Sequence, residues 1–361
     1  MIIDTLYAAA FHQVFQSSLN KCFLDIYNYF GSWEAAWKCG KNPPGLGIPE
    51  ELWEKFIFEK GELEPLKLGE YMDKKGIKLI TRQDSRFPAS LLQISNIPCI
   101  LYYCGDLSLA DQKAVAVVGS RKATAYGIKQ ARKISGELAS SGLVIISGLA
   151  RGIDGAAHEG ALEAGGKTAA VLGSGLDVPY PRENVRLFHE ISEKGLVISE
   201  FPPGTQPFKY NFPVRNRIIS GLSQGVFIVE AAARSGSLIT CDCALEQGKE
   251  VFALPGPVTS LNSIGTLRLL QSGAKLVIHS GDILEELGCA EKSCLFDNRK
   301  EKESQLSHEE RWVLDRIFWE PTHIDQLIGN NKNQFNLHKL LLNLEVKGLI
   351  KQLPGNYYLR V

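Results

Sequence analysis

Between residues 113 and 280 the chain repeats one pattern: a run of four or five mostly apolar residues, a glycine- or serine-bearing turn, then a helix-like stretch. The runs are Ala114–Val118, Leu143–Ile146, Thr168–Leu172, Leu196–Ser199, Val226–Val229, Val251–Leu254 and Lys275–Ile278. They do not alternate apolar with polar residues. Strands that are apolar on both faces are buried on both faces, and a parallel sheet covered by helices provides that environment. The pattern therefore predicts an α/β fold built on a doubly wound, mostly parallel sheet.

The flanks read differently. Residues 1–70 are helix-like, with apolar and aromatic residues at helical spacing in Cys22-Phe-Leu-Asp-Ile-Tyr-Asn-Tyr-Phe30, and Asn42-Pro-Pro-Gly-Leu-Gly-Ile-Pro49 separates two helices. Residues 71–112 form a connecting segment with short strands at Ile77–Ile80 and Cys99–Tyr103. The tract 291–305 is charge-dense and reads as a linker, which sets the central domain at 113–290. Residues 306–361 hold short helices and end in strand, Pro354-Gly-Asn356 turn and strand, the outline of a winged helix.

Charge narrows the function. The chain carries 40 Lys+Arg and 40 Asp+Glu, which argues against an all-over polyanion binder. Residues 113–280, however, hold 18 basic against 13 acidic residues, so a nucleic-acid surface belongs in the middle of the chain. The 8 cysteines include no CxxC pair, so reduced thiols are expected rather than a metal site. The N-terminus carries an acid without a basic n-region, and no apolar run approaches the roughly 18–20 residues that span a bilayer. A cytoplasmic protein without membrane contact is expected.

In an open α/β sheet, ligands bind beyond the carboxyl ends of the strands. The first central strand ends in Gly119-Ser120-Arg121-Lys122, where a dinucleotide fingerprint would put a glycine at position 121. The second runs into Ser147-Gly148-Leu-Ala-Arg151-Gly-Ile-Asp154, the third into Gly173-Ser-Gly175, and the fifth into Glu230-Ala-Ala-Ala-Arg-Ser235-Gly236-Ser237. A glycine cradle suits a diphosphate; spaced arginines and serines suit phosphates that arrive separately, as along a single nucleic-acid strand. Arg151 has Asp154 within reach as an ion-pair partner. His158, four residues on from Asp154, suggests a structural Asp–His pair, since no nucleophile accompanies it and Ser174 lacks the glycine at 172 that a nucleophile elbow needs. No carboxylate cluster resembles a two-metal site, and neither catalytic residue nor cofactor is expected.

The segment Pro202-Pro-Gly-Thr-Gln-Pro-Phe-Lys-Tyr-Asn-Phe-Pro-Val-Arg-Asn-Arg217 interleaves Lys209, Arg215 and Arg217 with Phe208, Tyr210 and Phe212. Basic groups for phosphates and rings for stacking are the two components of a single-strand groove.

These blocks resemble the DNA-processing protein A family (DprA, also called Smf). The similar stretches are Val118-Gly-Ser-Arg121, Ser147–Asp154, Val171–Asp177 with Tyr180-Pro181 and Glu183-Asn184, Ser199-Glu200 with Pro202-Pro-Gly204, Arg215-Asn-Arg-Ile-Ile219, Val229-Glu-Ala231, Ser235–Thr240 and Glu246–Phe252 with Pro255-Gly256. The resemblance implies an extended Rossmann-like domain flanked by an N-terminal SAM-like helical domain and a C-terminal winged helix. It also implies single-stranded DNA binding without sequence preference, a homodimer through about 250–280, and loading of RecA recombinase during natural transformation, with single-strand-binding protein as a further candidate partner. By position, Arg121 and Lys209 match the family's DNA-contacting basic residues. Two stretches depart from it: Gly265-Thr-Leu267 stands where Gly-Thr-Asn is usual, and Gln16-Ser-Ser-Leu-Asn20 replaces a Gly-x-Gly hairpin. The competing resemblance is to nucleoside-monophosphate phosphoribohydrolases, or to a nucleotide sensor on the same fold; Glu230 ends a strand as the former require, but Ala-Ala-Ala-Arg follows instead of Pro-Gly-Gly.

Overall fold

The computed structural model describes residues 3–289, 306–317, 321–328 and 337–360; the tract 291–305 lies outside them. The chain forms two compact units, Met1–Cys289 and Ala290–Val361.

The first unit is built on a nine-stranded sheet: β1 (Lys78–Thr81), β2 (Ile100–Gly105), β3 (Ala114–Val118), β4 (Val144–Ser147), β5 (Thr168–Leu172), β6 (Leu196–Ser199), β7 (Gly225–Ile228), β8 (Glu250–Ala253) and β9 (Lys275–Leu276). Their spatial order is β1-β2-β6-β5-β4-β3-β7-β8-β9. From β6 to β9 every pair is parallel, while β2 joins β6, and β1 joins β2, antiparallel. The connecting segment thus contributes two strands that extend the same sheet. The strands start and stop within one or two residues of the apolar runs.

Period-two alternation explains the burial of both faces. In β3, Val115 and Val117 face the helices Ala125–Ser140 and Ile153–Glu163, while Ala116 and Val118 face the helices Asn211–Gly221 and Gly236–Glu246. In β5, Ala169 and Val171 share the second of these faces, and Ala170 and Leu172 turn to a core completed by the five N-terminal helices between Ile3 and Lys74. The N-terminal helices therefore share a core with the sheet. Phe11, Phe23, Trp33, Trp53 and Phe56 are among its fully enclosed rings, with Phe11 and Phe56 stacked at 4.5 Å.

The order places β4, β5 and β6 on one side of β3 and β7, β8 and β9 on the other. The helix after β3 packs on one face and the helix after β7 on the opposite face, so the loops leaving these neighbouring strands diverge. That is the topological switch point, where an open sheet forms its crevice.

The second unit contains β10 (Thr322–His323), β11 (Ile350–Leu353) and β12 (Tyr357–Arg360) in the antiparallel order β10-β12-β11, with helices His308–Leu314, Ile324–Ile328 and Leu337–Val346. Val313, Leu314, Ile317, Leu341, Leu344 and Ile350 form its core. Gly355 and Asn356 turn the β11–β12 hairpin at φ of 81° and 60°, the left-handed region those two residues tolerate. Helices followed by such a hairpin make a winged helix.

Candidate functional site

The turn after β3 and the end of β7 are clamped together. The Ser120 N–H donates to the Glu230 carbonyl at 2.7 Å, and the Ser120 hydroxyl accepts the Lys122 N–H at 3.1 Å. Thr124 caps the helix Ala125–Ser140 by accepting the Gly127 N–H at 3.1 Å. Its own N–H and hydroxyl donate to the Glu230 carboxylate at 2.9 and 2.5 Å. Glu230 is buried and serves the start of this helix. Opposite, Ser235 caps the helix Gly236–Glu246, its hydroxyl paired with that of Ser237 at 2.8 Å.

Between these turns lies a cleft of about 540 Å³ at the β3/β7 switch point. Three strand ends and the helices beside them line it: Gly119 to Lys122 after β3, Ala150 and Asp154 after β4, Ala232 and Arg234 after β7 with the helix Gly236–Glu246 as far as Thr240, and the helix Asn211–Gly221 as far as Ile219 with Lys209 before it. Ser120, Arg121, Lys122, Lys209, Phe212, Arg215, Ser235, Gly236 and Ser237 are thereby brought together from as far apart in sequence as 120 and 237. Arg121, Lys122, Lys209 and Arg234 are exposed, and among the described residues none is held by a carboxylate. The Arg121 guanidinium sits 4.8 Å from the Phe212 ring centroid, within cation–π range.

The cleft floor has a different character. Arg215 is buried, donating Nη1 to the carbonyls of Gly148 (3.0 Å) and Val171 and Nε to Asn216 Oδ1 at 3.2 Å. Burial lowers its pKa to about 10, with Asp154 opposing and Arg121 adding to the fall, so it remains charged at neutral pH. Burial likewise pushes the Asp154 carboxyl up, against the pull of Arg215. Gly148 lies between the two: a Cβ there would come within 2.6 Å of Arg215 Nη2 and 2.8 Å of Asp154 Oδ2. Only glycine lets both groups approach this backbone.

Five residues singled out in the sequence lie outside the cleft lining. The Ser147 hydroxyl donates to the Val117 carbonyl at 2.6 Å and fastens β4 to β3. Gly148 serves the floor as described. Gly173 leaves room for Phe212, whose ring a Cβ would meet at 2.9 Å. Arg151 is exposed and pairs with Glu183 at 2.5 Å rather than with Asp154. Arg217 is buried, forked onto Glu200 at 2.8 and 2.6 Å, with Nε on the Asn96 carbonyl at 2.9 Å. Glu200 also accepts Asn20 Nδ2 at 2.8 Å, so Arg217 ties the helix Asn211–Gly221 to the end of β6 and to the N-terminal helices.

Asp154 and His158 do not pair. The His158 ring bonds the Thr168 hydroxyl at 2.6 Å, and burial drives its pKa down to about 3, so it is a neutral core residue. Two cleft residues escaped the sequence reading. Arg234 could have been found, because it stands directly before the Ser235 cap. Asn262 could not: its Nδ2 reaches the Lys122 carbonyl at 2.8 Å across 140 residues, and no local pattern signals that. Leu267, in the departing Gly-Thr-Leu stretch, is half-buried in the helix Ile264–Gln271. Among the described residues no group of three or more His, Cys, Asp or Glu is placed to hold a metal ion, and no helix is long and apolar enough to cross a membrane.

Fold and cleft define an extended Rossmann-like α/β protein whose switch-point crevice is lined by exposed cations that form no carboxylate ion pair among the described residues. The family model for DNA recombination-mediator protein A matches residues 78–288, and the chain belongs to that family. Protein Smf of Synechocystis is 34% identical over 374 residues, covering 93% of this chain and 94% of the relative. The DNA processing protein DprA of Streptococcus pneumoniae is 51% identical over 203 residues, 56% of this chain and 72% of the relative. Its X-ray structure aligns with a TM-score of 0.64 at 39% identity, covering 76% of this chain and 96% of that one. The DNA processing protein A of Helicobacter pylori, solved for its single-stranded DNA binding mode, aligns with a TM-score of 0.53 at 32% identity, covering 58% and 95%.

Proposed function

We propose that this protein is a recombination mediator that binds single-stranded DNA without sequence preference, protects it, and loads RecA onto it during natural transformation in the cytoplasm. One observation carries the reading: Arg121, Lys122, Lys209 and Arg234 converge, exposed and without carboxylate partners among the described residues, on one cleft at the switch point. Charge-assisted contacts to separate phosphates need that arrangement, and a diphosphate cradle does not. The likeness to a relative solved for its single-stranded DNA binding supports the same ligand. Ser120, Ser235 and Ser237 line the cleft and add hydrogen-bonding groups around the phosphates; Phe212, braced by Arg121, is the ring within it.

The protein acts as a binding mediator rather than a hydrolase: the buried Glu230 caps a helix start instead of facing a substrate. It pairs with a second copy through about 250–280, where Val258 (81%), Leu261 (75%) and Ile278 (69%) are exposed. The test is fluorescence anisotropy of a labelled oligonucleotide, single- and double-stranded, followed by RecA assembly on strands coated with single-strand-binding protein. Tight single-strand binding, weak duplex binding and faster RecA assembly are expected. Absence of single-strand binding at low salt overturns the reading.

A further inference from the structure

Phe208 and Tyr210 lie outside the cleft lining, one on either side of Lys209, which lines it. Their rings are parallel within 8°, with centroids 5.4 Å apart, an offset stack. They are 49% and 66% exposed, so neither packs the core. The backbone presenting them is held firmly. Asn211 Nδ2 donates to the Gly173 carbonyl at 3.0 Å and the Gln206 carbonyl at 3.2 Å, tying the loop to the end of β5. The Phe208 N–H reaches the Gln206 carbonyl at 2.8 Å, and the Asn211 N–H the Phe208 carbonyl at 3.0 Å.

Across 201–210 the only charged residue is Lys209. A fixed, uncharged π surface beside one cation has the recognition chemistry of a nucleotide, with rings for the base and ammonium for the phosphate. Phe212 is a separate site, its ring engaged by Arg121 and packed 5.8 Å from Tyr180. We infer that the Phe208–Tyr210 stack is a nucleobase subsite outside the cleft, stacking a base of the strand where it leaves Lys209. This rests on the single-strand reading above and extends the strand's path by a base-dependent contact that charge alone does not supply.

The test compares a base-bearing oligonucleotide with an abasic one of equal length, for wild type, Tyr210→Ala and the double variant Phe208→Ala/Tyr210→Ala. Stacking predicts a loss of about tenfold per ring on the base-bearing strand and little loss on the abasic one. Tyr210→Trp should keep the affinity and show fluorescence quenching when the strand binds. Equal losses on both strands would mean that the rings only shape the loop, and no loss on either would also overturn the subsite. If Arg121→Ala weakens binding while the ring variants match wild type, this inference alone fails. If wild type binds neither strand, the single-strand reading fails instead.

Discussion

Arg121 and Arg217 look equivalent in sequence, each a basic residue in a block shared with the same family, yet the fold uses them in opposite ways. Arg121 stands exposed at the switch point with its guanidinium over Phe212. Arg217 is buried between the cleft-lining Asn216 and Ile219 of the same helix but turned away from the cleft, forked onto Glu200. What separates them is the presence of a buried carboxylate from a distant strand end. An arginine with such a partner holds the fold together, and one without remains available for a ligand.

Removing each arginine should separate stability from binding. Arg217→Ala leaves Glu200 buried without its counter-charge, and a loss of about 3–5 kcal/mol in denaturant-induced unfolding is expected. Arg121→Ala should change stability by less than about 0.5 kcal/mol. If the two variants unfold alike, the contrast is wrong.

Acid should also strike the interior before the cleft. His12 and His158 titrate near 6.5 in the unfolded chain, but burial lowers them to about 4 and about 3 in the folded one. Between those values the unfolded state binds more protons. Stability is therefore complete above about pH 6.5 and declines as pH falls, by roughly 1.4 kcal/mol per pH unit for each histidine. Unfolding free energies across this range, with His158→Gln as comparison, should show a shallower decline in the variant.

On the binding side, Arg121→Ala should weaken single-strand affinity by about tenfold or more, the worth of a charge-assisted contact. Arg151→Ala, which removes an exposed partner of Glu183 outside the cleft, should leave stability and affinity at wild-type values. Anisotropy titrations of the pair sharpen the boundary between cleft and surroundings; equal losses would erase it.

The sheet was legible because its strands are uninterrupted apolar runs between turn residues, and β3, Ala114–Val118, begins and ends where its run does. The exposed cations Arg121, Lys122 and Lys209 were legible because they sit at strand ends or beside prolines. The fates of Arg217 and Arg151 were not, since their partners Glu200 and Glu183 are set by tertiary contact. His158 misled for a related reason. Helical spacing puts it near Asp154, but Thr168 of β5 offers the bond from within the core. Asn262 closes the cleft from a loop whose sequence carries no binding signal.

The most direct test of the central claim, that exposed cations at the switch point hold a single strand by its phosphates, is the salt dependence of oligonucleotide affinity for wild type, Arg121→Ala and Lys209→Ala. For such a site log K should fall linearly with log salt, and each variant should bind more weakly with a slope shallower by about 0.7 for the phosphate contact it lost. Affinity indifferent to salt, or variants that keep the wild-type slope and strength, would contradict it.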